Sequence, residues 1–396
     1  MIHSTNLQQK RKEQLKRIAQ EEGFDVVSFA SPAPPPRAEF LTHWLERGSH
    51  GDMVWMEHNP HKRMDPNQLM EKLGCIMVLG LNYRPPGEPS PYLSDPGALG
   101  ISAYARNREY QGYIKKKLKK MASRIEQTVG RSVEGRIFVD TAPVLEKPLA
   151  AGAGLGWQGK NSFLVNRNFG CWLFLAEFFL DLDLPPDPPD ADHCGRCERC
   201  QVVCPTGALD TPWQLDAQRC LAYLSIESSG PIPRTHRQAM GNRVFGCDDC
   251  LTACPWNRFA PVTKAEFFLP RAALVAPRLL DFVHLDEADF RSLFSQSGIK
   301  RSGRIRFMRN LAVALGNWAT EEAFAGLTHL FADPHPLIRG HAAWGLGQIT
   351  TPKARELLRS AQYSEPDQWV KEEILLALNQ MVTSTRAATR LEGATD

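Results

Sequence analysis

CGRCERCQVVCP, residues 194–205, and CDDCLTACPWN, residues 247–257, decide how the rest of this chain is read. The first has the spacing Cys-x2-Cys-x2-Cys-x3-Cys-Pro, the ferredoxin run for a 4Fe-4S cluster. In that run three closely spaced thiolates reach corners of one cubane, and the fourth, turned away by the proline, reaches the neighbouring cluster. The second stretch repeats the run without its first cysteine, because Val244 stands at that position. Seven ligands fall one short of two clusters, and Cys220, alone between the motifs, supplies the eighth. The expected ligand sets are Cys194, Cys197, Cys200 and Cys254 for one cluster, and Cys204, Cys220, Cys247 and Cys250 for the other. Zinc also accepts paired Cys-x2-Cys elements, but it needs neither a third cysteine two residues on nor a Cys-Pro at the end of both runs. Radical chemistry through Cys-x3-Cys-x2-Cys is disfavoured, since Gly207 occupies the required third position. Both clusters are fully protein-ligated by this count, which points to electron transfer.

Working outward, eight of the ten cysteines lie within 61 of the 396 residues. In a chain that shows no export signal, such crowding argues for metal ligation and against a disulfide framework. The other two, Cys75 and Cys171, lie in or beside apolar runs and read as buried small hydrophobes. Lys plus Arg number 47 against 44 Asp plus Glu, a net charge of +3, so a histone-like polycation is excluded and any nucleic-acid surface must be local. The first thirty residues contain no apolar h-region with a cleavage site. The most apolar run, Cys171 to Leu182, is interrupted by Glu177 and is short of the roughly 20 residues that a spanning helix needs. A soluble cytoplasmic protein with no membrane partner is expected, and in the absence of a dimer seam, a monomer.

Proline-rich segments at 32–36, 85–96 and 185–189 mark loops or linkers. Before the last of them, strand-like runs (24–30, 75–83, 136–139, 162–165, 172–179) alternate with helical stretches near 37–47 and 109–129, as in an α/β or α+β domain. Residues 194–257 have dense cysteine and little periodicity, as befits a small domain stapled by metal. Beyond about residue 290 the pattern is helical with a loose repeat: LAVALGN at 311–317 matches AAWGLGQ at 342–348, and DPHPLIRGHAAWGL from Asp333 echoes EPDQWVKEEILLAL from Glu365. Helix pairs at such a period describe a HEAT-like α-solenoid; the bland alternative is a helical bundle with chance similarity. The class predicted is α+β, with an α/β domain over 1–184, a ferredoxin-like dicluster domain over 185–262 and helical repeats over 263–396.

Electron-carrying clusters need an acceptor, and residues 136–170 combine a strand, a helix entry, a glycine cluster and a lysine. Gly154-x4-Gly159-Lys160 approaches a P-loop, but Asn161 replaces the hydroxyl residue that would hold Mg²⁺, and no strand precedes it. The same glycines make only a weak dinucleotide fingerprint. As a group, FVDTAPVLEKPLAAGAGLGWQGKN, CGRCERCQVVCPTGAL, CLAYLSIE, FGCDDCLTACPWN and RSGRIRFMRNLAVALGN, in this order along nearly the whole chain, resemble the epoxyqueuosine reductases.

That resemblance implies a cobalamin-dependent enzyme with two 4Fe-4S clusters, acting at the wobble position of a tRNA anticodon. It would remove the epoxide oxygen of epoxyqueuosine with two electrons and two protons, giving queuosine and water. It also implies a corrinoid-binding α/β domain followed by a ferredoxin-like domain and HEAT-like repeats. The usual corrinoid-ligand motif Asp-x-His-x-x-Gly is missing: Asp333-x-His335 approaches it, but Ile338 fills the glycine position. That absence agrees with a family that binds the cofactor without a histidine below cobalt. By resemblance Asp140 is the proton donor, though its position after a strand equally suits a helix-entry cap. Gly159, Lys160 and Asn161 are expected at the corrin, where an ordinary glycine turn is the alternative. Arg63, Tyr104 and Ser225 are further candidates for that pocket, alongside Asp140. Lys300, Arg301, Arg304, Arg306 and Arg309 are expected to meet tRNA phosphates, a second basic group being Lys115, Lys116, Lys117, Lys119 and Lys120. An external electron donor is implied. A dicluster electron carrier and a corrinoid reductive dehalogenase are the competing readings.

Overall fold

The computed structural model describes residues 2–392, and the chain divides into two compact units. The first comprises Met1–Pro89, Arg108–Gln218 and Asp249–Leu269, and the second Ser90–Asn107, Arg219–Asp248 and Pro270–Asp396. The cysteine-rich stretch contributes to both.

In the first unit, β1 (Val26–Ala30), β2 (Cys75–Asn82), β3 (Gly135–Phe138) and β4 (Leu173–Leu180) form one sheet in the order β1-β2-β4-β3, every pairing antiparallel. The mixture is thus of the α+β kind. The central strands CIMVLGLN and LFLAEFFL are buried almost end to end, which explains why they read as continuous apolar runs rather than as alternating ones. Two long helices, α1 (Ile2–Glu21) and α2 (Tyr110–Val129), pack against each other, α1 also meeting β1 and α2 meeting β3. Glu109 caps α2 by accepting from the N–H groups of Gln111 and Gly112; Ile114, Leu118, Met121 and Ile125 form its buried stripe, and Gly130, at φ +74°, ends it. A short helix, α3 (Glu146–Gly152), lays Leu149 and Ala150 on the sheet face formed by Ile76, Val78, Leu175 and Phe179.

The register of that face has one consequence for the site. Glu177 of β4 lies opposite Val78 of β2 and Phe138 of β3. Directly opposed residues in antiparallel strands share a face, so Glu177 points toward α3 from the middle of an apolar surface.

The second unit is built on helices α4 (Ile299–Trp318), α5 (Glu321–Phe331), α6 (Pro336–Gln348), α7 (Pro352–Ser364) and α8 (Gln368–Glu392). Helices α4, α6 and α8 stack in one row, with α5 and α7 paired against them. The repeat read from sequence is visible in the caps. Thr320 and Thr351 accept from the N–H groups of Ala323 and Ala354 to start α5 and α7, while Pro334 and Pro366, the prolines shared by the repeat, lie two residues before α6 and α8 begin. The shared glycines also have a physical reason: a Cβ on Gly316 would come 2.6 Å from the Gly345 Cα, and one on Gly347 2.7 Å from the Ala377 Cβ, so the row packs at glycine distance. Gly303, at φ +78°, kinks α4 after its first turn. Among the described residues no helix is long and apolar enough to cross a membrane.

Candidate functional site

A cavity of about 600 Å³ opens in the first unit. One wall is the short helix Phe40–Glu46, which presents Phe40 and Trp44, and another is the segment 212–215. The Trp44 indole N–H donates to the Leu215 carbonyl at 2.6 Å and so ties the two walls. Trp213 adopts φ +62° and lies beneath the Arg37 guanidinium, 5.9 Å from its ring centre. Arg63 is buried against Trp55, its guanidinium 5.3 Å from the ring centre, and its Nε–H has no hydrogen-bond partner among the described residues. Aromatic walls with unpartnered donors in Arg63 Nε–H and the Ser162 hydroxyl suit a large, flat, acceptor-rich ligand.

Asp140 lines the same cavity, in the loop between β3 and α3. It caps no helix: α3 starts six residues later with Leu145 at its N-cap. The backbone of Asp140 is left-handed at φ +58°, a conformation that aspartate tolerates better than most residues. Two contacts fix it. Its carboxylate Oδ2 accepts from Gln111 Nε2 at 2.5 Å, and its N–H donates to Glu146 Oε1 at 2.6 Å. Burial, and then the nearby Asp140 carboxylate, push the Glu146 carboxyl up to about 7 against the opposing pull of the Asp140 N–H and Lys147. Lys147 also faces the cavity, its ammonium 5.2 Å from the Phe163 ring centre.

The Gly159–Ser162 segment is the tip of a two-stranded hairpin, Trp157–Gln158 against Leu164–Val165, closed by Gly159 N–H to Phe163 O and Ser162 N–H to Gly159 O. Gln158 and Ser162 reach the cavity, whereas the side chains of Lys160 and Asn161 are engaged by the cysteine loops. Lys160 Nζ donates to the carbonyls of Gly195 and Cys197, both at 3.0 Å, and Asn161 Nδ2 donates to the Cys250 carbonyl at 3.1 Å. Both side chains thus steady the cluster loops directly. Tyr104 and Ser225 belong to the second unit: Tyr104 is a half-buried aromatic beside Phe245, and the Ser225 hydroxyl donates to Leu221 O and accepts from Gly246 N–H.

Each cysteine run carries a short helix, Arg199–Val202 with Cys200 or Asp249–Thr252 with Cys250, and within the first unit these two helices touch. Cys194, Cys197, Cys200 and Cys254 converge there: burial and then the thiols of Cys194, Cys254 and Cys197 push Cys200 up to about 11. A thiol kept from ionising by three neighbouring thiols fits a site whose charge a metal cluster would take up. The Lys160 backbone N–H is aimed at Cys194 and favours its thiolate. Of the other expected set, Cys204 and Cys250 lie in the first unit and Cys220 and Cys247 in the second. Cys171 has a more specific environment than that of a small hydrophobe: its buried thiol donates to Cys254, and its Sγ accepts from Asn161 Nδ2 at 3.8 Å. Cys75 is buried in β2, and its thiol is pushed up to about 12.

The basic run of α4 turns mostly inward. Arg309 is withdrawn from the expected RNA-facing set, because it is fully buried and its guanidinium donates to the carbonyls of Leu224, Ser228 and Gly230. Arg306 holds the carbonyls of Ile226 and Glu227, and Arg304 pairs with Asp333 at 2.8 Å. Lys300 and Arg301 are exposed, Arg301 reaching Glu227 at 3.1 Å. In α2, Lys116, Lys119 and Lys120 are exposed, while Lys117 donates to the Glu22 carbonyl. Sequence reasoning did not single out Trp44, Trp213, Glu146 or Lys147. Glu177 did carry a signal, as the acid in the middle of the most apolar run.

Fold and site define an iron–sulfur protein with helical repeats. Family models match a 4Fe-4S double cluster binding domain over residues 193–257, HEAT repeats over 299–379, and epoxyqueuosine reductase QueG, DUF1730, over 63–141. The epoxyqueuosine reductase of Salmonella typhimurium is 38% identical over 357 residues, covering 87% of this chain and 93% of that protein; the Escherichia coli enzyme is 37% identical over 366 residues, covering 89% and 96%. This chain belongs to the epoxyqueuosine reductase family. Among solved structures, an epoxyqueuosine reductase with an epoxyqueuosine-modified tRNA-Tyr stem loop matches with a TM-score of 0.87 at 28% identity, over 94% of this chain and 99% of that one. The Bacillus subtilis enzyme, captured with its catalytic aspartate loop swung out of the active site, matches with a TM-score of 0.86 at 27% identity, over 94% and 99%.

Proposed function

We infer that this chain reduces epoxyqueuosine to queuosine in tRNA, with Asp140 donating a proton to the departing epoxide oxygen. The observation that carries the reading is the placement of Asp140. It stands on a short loop at an aromatic cavity, in the same unit as four converging thiols, and is held by one side-chain donor and one backbone contact. The Bacillus subtilis relative, whose catalytic aspartate also sits on a loop, supports that role. A family whose relatives are named for this reduction, and a related structure bound to a modified stem loop, support the substrate.

Two 4Fe-4S clusters are proposed on Cys194, Cys197, Cys200 and Cys254, and on Cys204, Cys220, Cys247 and Cys250. Cobalamin is proposed for the cavity, where Arg63 and the walls formed by Trp44, Trp55 and Trp213 would hold it, and it would supply a cobalt centre able to carry electrons to the substrate. The protein's own part is to position and protonate. Gln111 orients the Asp140 carboxyl at the exposed rim of the cavity, where it can reach a bound substrate as a general acid. Lys160 and Asn161 hold the cluster loops against the hairpin whose neighbours Gln158 and Ser162 line the cavity. Lys300 and Arg301 remain proposed phosphate contacts, in a cytoplasmic enzyme fed by an external reductant. The proposed division of labour follows residues 1–184, 185–262 and 263–396.

The test is anaerobic turnover of an epoxyqueuosine-modified stem loop with a chemical reductant. Asp140→Asn keeps the left-handed loop and the Gln111 contact but has no proton to give. It should retain cluster absorbance and tRNA affinity while losing turnover by roughly 100-fold or more. Full activity in that variant would overturn the role of Asp140.

A further inference from the structure

Glu177 is fully buried, and neither carboxyl oxygen meets a donor among the described residues. An ionised carboxylate in such a place is very costly. The group that faces it is another acid, Glu146, in hydrogen-bonding position across the α3 side of the sheet. Two carboxylates offer four acceptor oxygens and no hydrogen, so they can bond only by holding a proton between them. Glu146 in turn accepts the backbone N–H of Asp140. The arrangement therefore runs from the sealed interior, through Glu146, to the aspartate on the cavity wall.

We propose that Glu177 and Glu146 share one proton beneath the Asp140 loop and return it to Asp140 after that residue has protonated the substrate oxygen. This rests on the reduction inferred above, which consumes two electrons from an external reductant and two protons. In the first transfer the Asp140 O–H bond breaks as an O–H bond forms on the epoxide oxygen. In the second the shared O–H bond of the glutamate pair breaks and that of Asp140 re-forms, readying Asp140 to complete the water molecule. Cavity water carries this proton from Glu146 to the Asp140 carboxyl, because the direct contact of Glu146 is to the Asp140 backbone N–H. Solvent entering the cavity then refills the pair. Glu146 and Glu177 are relay and positioning residues; they need not touch substrate.

The charged groups that face Glu146 are consistent with a retained proton. Asp140 disfavours a negative charge on Glu146 and Glu146 one on Glu177, while the Glu177 contact and Lys147, whose ammonium is itself disfavoured by its surroundings, offset this on Glu146 only in part. From α2 the neutral Gln111 reaches Asp140, and Lys115 Nζ reaches no closer than the Thr141 hydroxyl, at 3.4 Å. Burial, and then Glu146, hold the Glu177 carboxyl far above the ordinary carboxylate range. Glu177 is thus the resting seat of the proton and Glu146 its acceptor.

The experiment is infrared difference spectroscopy of the full holoenzyme at pH 7, followed by turnover against pH. Wild type and Asp140→Asn should both show a protonated-carboxyl C=O band that shifts on deuteration, and Glu177→Gln should lack it. Turnover of wild type should hold through about 7, where Glu146 gives up its own proton, and fall at higher pH as the proton seated on Glu177 is lost. Glu146→Gln, whose amide oxygen still accepts the Asp140 N–H, and Glu177→Gln should be slower by roughly 10- to 100-fold with that inflection gone. No band in active wild type, or variants that keep both rate and pH profile, would overturn the shared proton. Wild type with no turnover of the modified stem loop would overturn the underlying function instead, which the infrared measurement does not depend on.

Discussion

Two arginines of the same basic run are expected to fail in opposite ways. Arg309→Ala removes a buried guanidinium that donates to three backbone carbonyls, those of Leu224, Ser228 and Gly230, and to Asn310 Oδ1. Hydrogen bonds from a charged donor contribute about 1.5–3 kcal/mol each, and each stranded buried carbonyl costs a further desolvation penalty. With partial relaxation the loss is about 4 kcal/mol. Spread over a unit of this size, that lowers Tm by roughly 8–16 °C. Arg301→Ala removes only an exposed pair with Glu227, with side chains 64% and 31% accessible, and should move Tm by no more than a degree or two. Its effect should appear in tRNA binding, where loss of one phosphate contact flattens the slope of log K against log salt by about 0.7–0.9. Anaerobic thermal unfolding, paired with stem-loop binding at several salt concentrations, reads both. Arg309→Ala with an unchanged Tm and a flattened salt slope would refute the reasoning.

Further outcomes follow from the buried acids, the cluster loop and the repeat row. The folded-state pKa of Glu146 is raised, so its contribution to stability is complete below its ordinary value of 4.5 and is lost as pH rises through about 7, on the order of 3 kcal/mol in all. Tm should therefore fall between pH 5.5 and 8.5 in wild type and fall less in Glu177→Gln; parallel declines would count against a coupled pair. Cys171→Ala removes the thiol that donates to Cys254, and with Cys254 as a ligand the cluster potential should drop by roughly 20–40 mV, the equivalent of one weak hydrogen bond, in an EPR-monitored titration. An unshifted potential would return Cys171 to simple packing. Gly316→Ala places a methyl 2.6 Å from the Gly345 Cα and should cost about 1–3 kcal/mol in unfolding measurements, whereas the same change at Gly130, a solvent-open C-cap at φ +74°, meets nothing within 4 Å and costs only its backbone strain.

Short-range signals were legible. The cysteine spacing marked the stretch that matches a 4Fe-4S double-cluster domain, apolar runs found the four strands of the sheet to within two residues at each end, and the prolines of the repeat lie just before real helix starts. What failed to show was direction. The basic run of α4 reads as one charged stretch, but the carbonyls of the segment 224–230, some eighty residues upstream, decide which arginines turn inward, and nothing near the arginines announces them. Lys160 and Asn161 were expected at the corrin, but their side chains lean to the cysteine loops, because a turn's sequence does not state which way its tip side chains point. Glu177 stood out as an acid in an apolar strand, but its partner is brought to it only by strand register and by the packing of α3. The cavity's tryptophans come from segments far apart in the chain, so no local pattern joins them.

The hairpin 157–165 is bonded on both of its sides. Lys160 accepts the Trp213 N–H on its carbonyl, at 3.1 Å, and reaches the Cys194–Cys197 loop with its ammonium, while Asn161 grips the Cys250 carbonyl. A two-stranded ribbon clamped in this manner cannot stretch or shorten appreciably when the loops around it move. The gap between the first cysteine cage and the cavity wall is therefore a constant of the scaffold. The Asp140 loop lies outside that clamp, so in the proposed electron path from the cage to the cavity the distance is set by the hairpin and not by the loop.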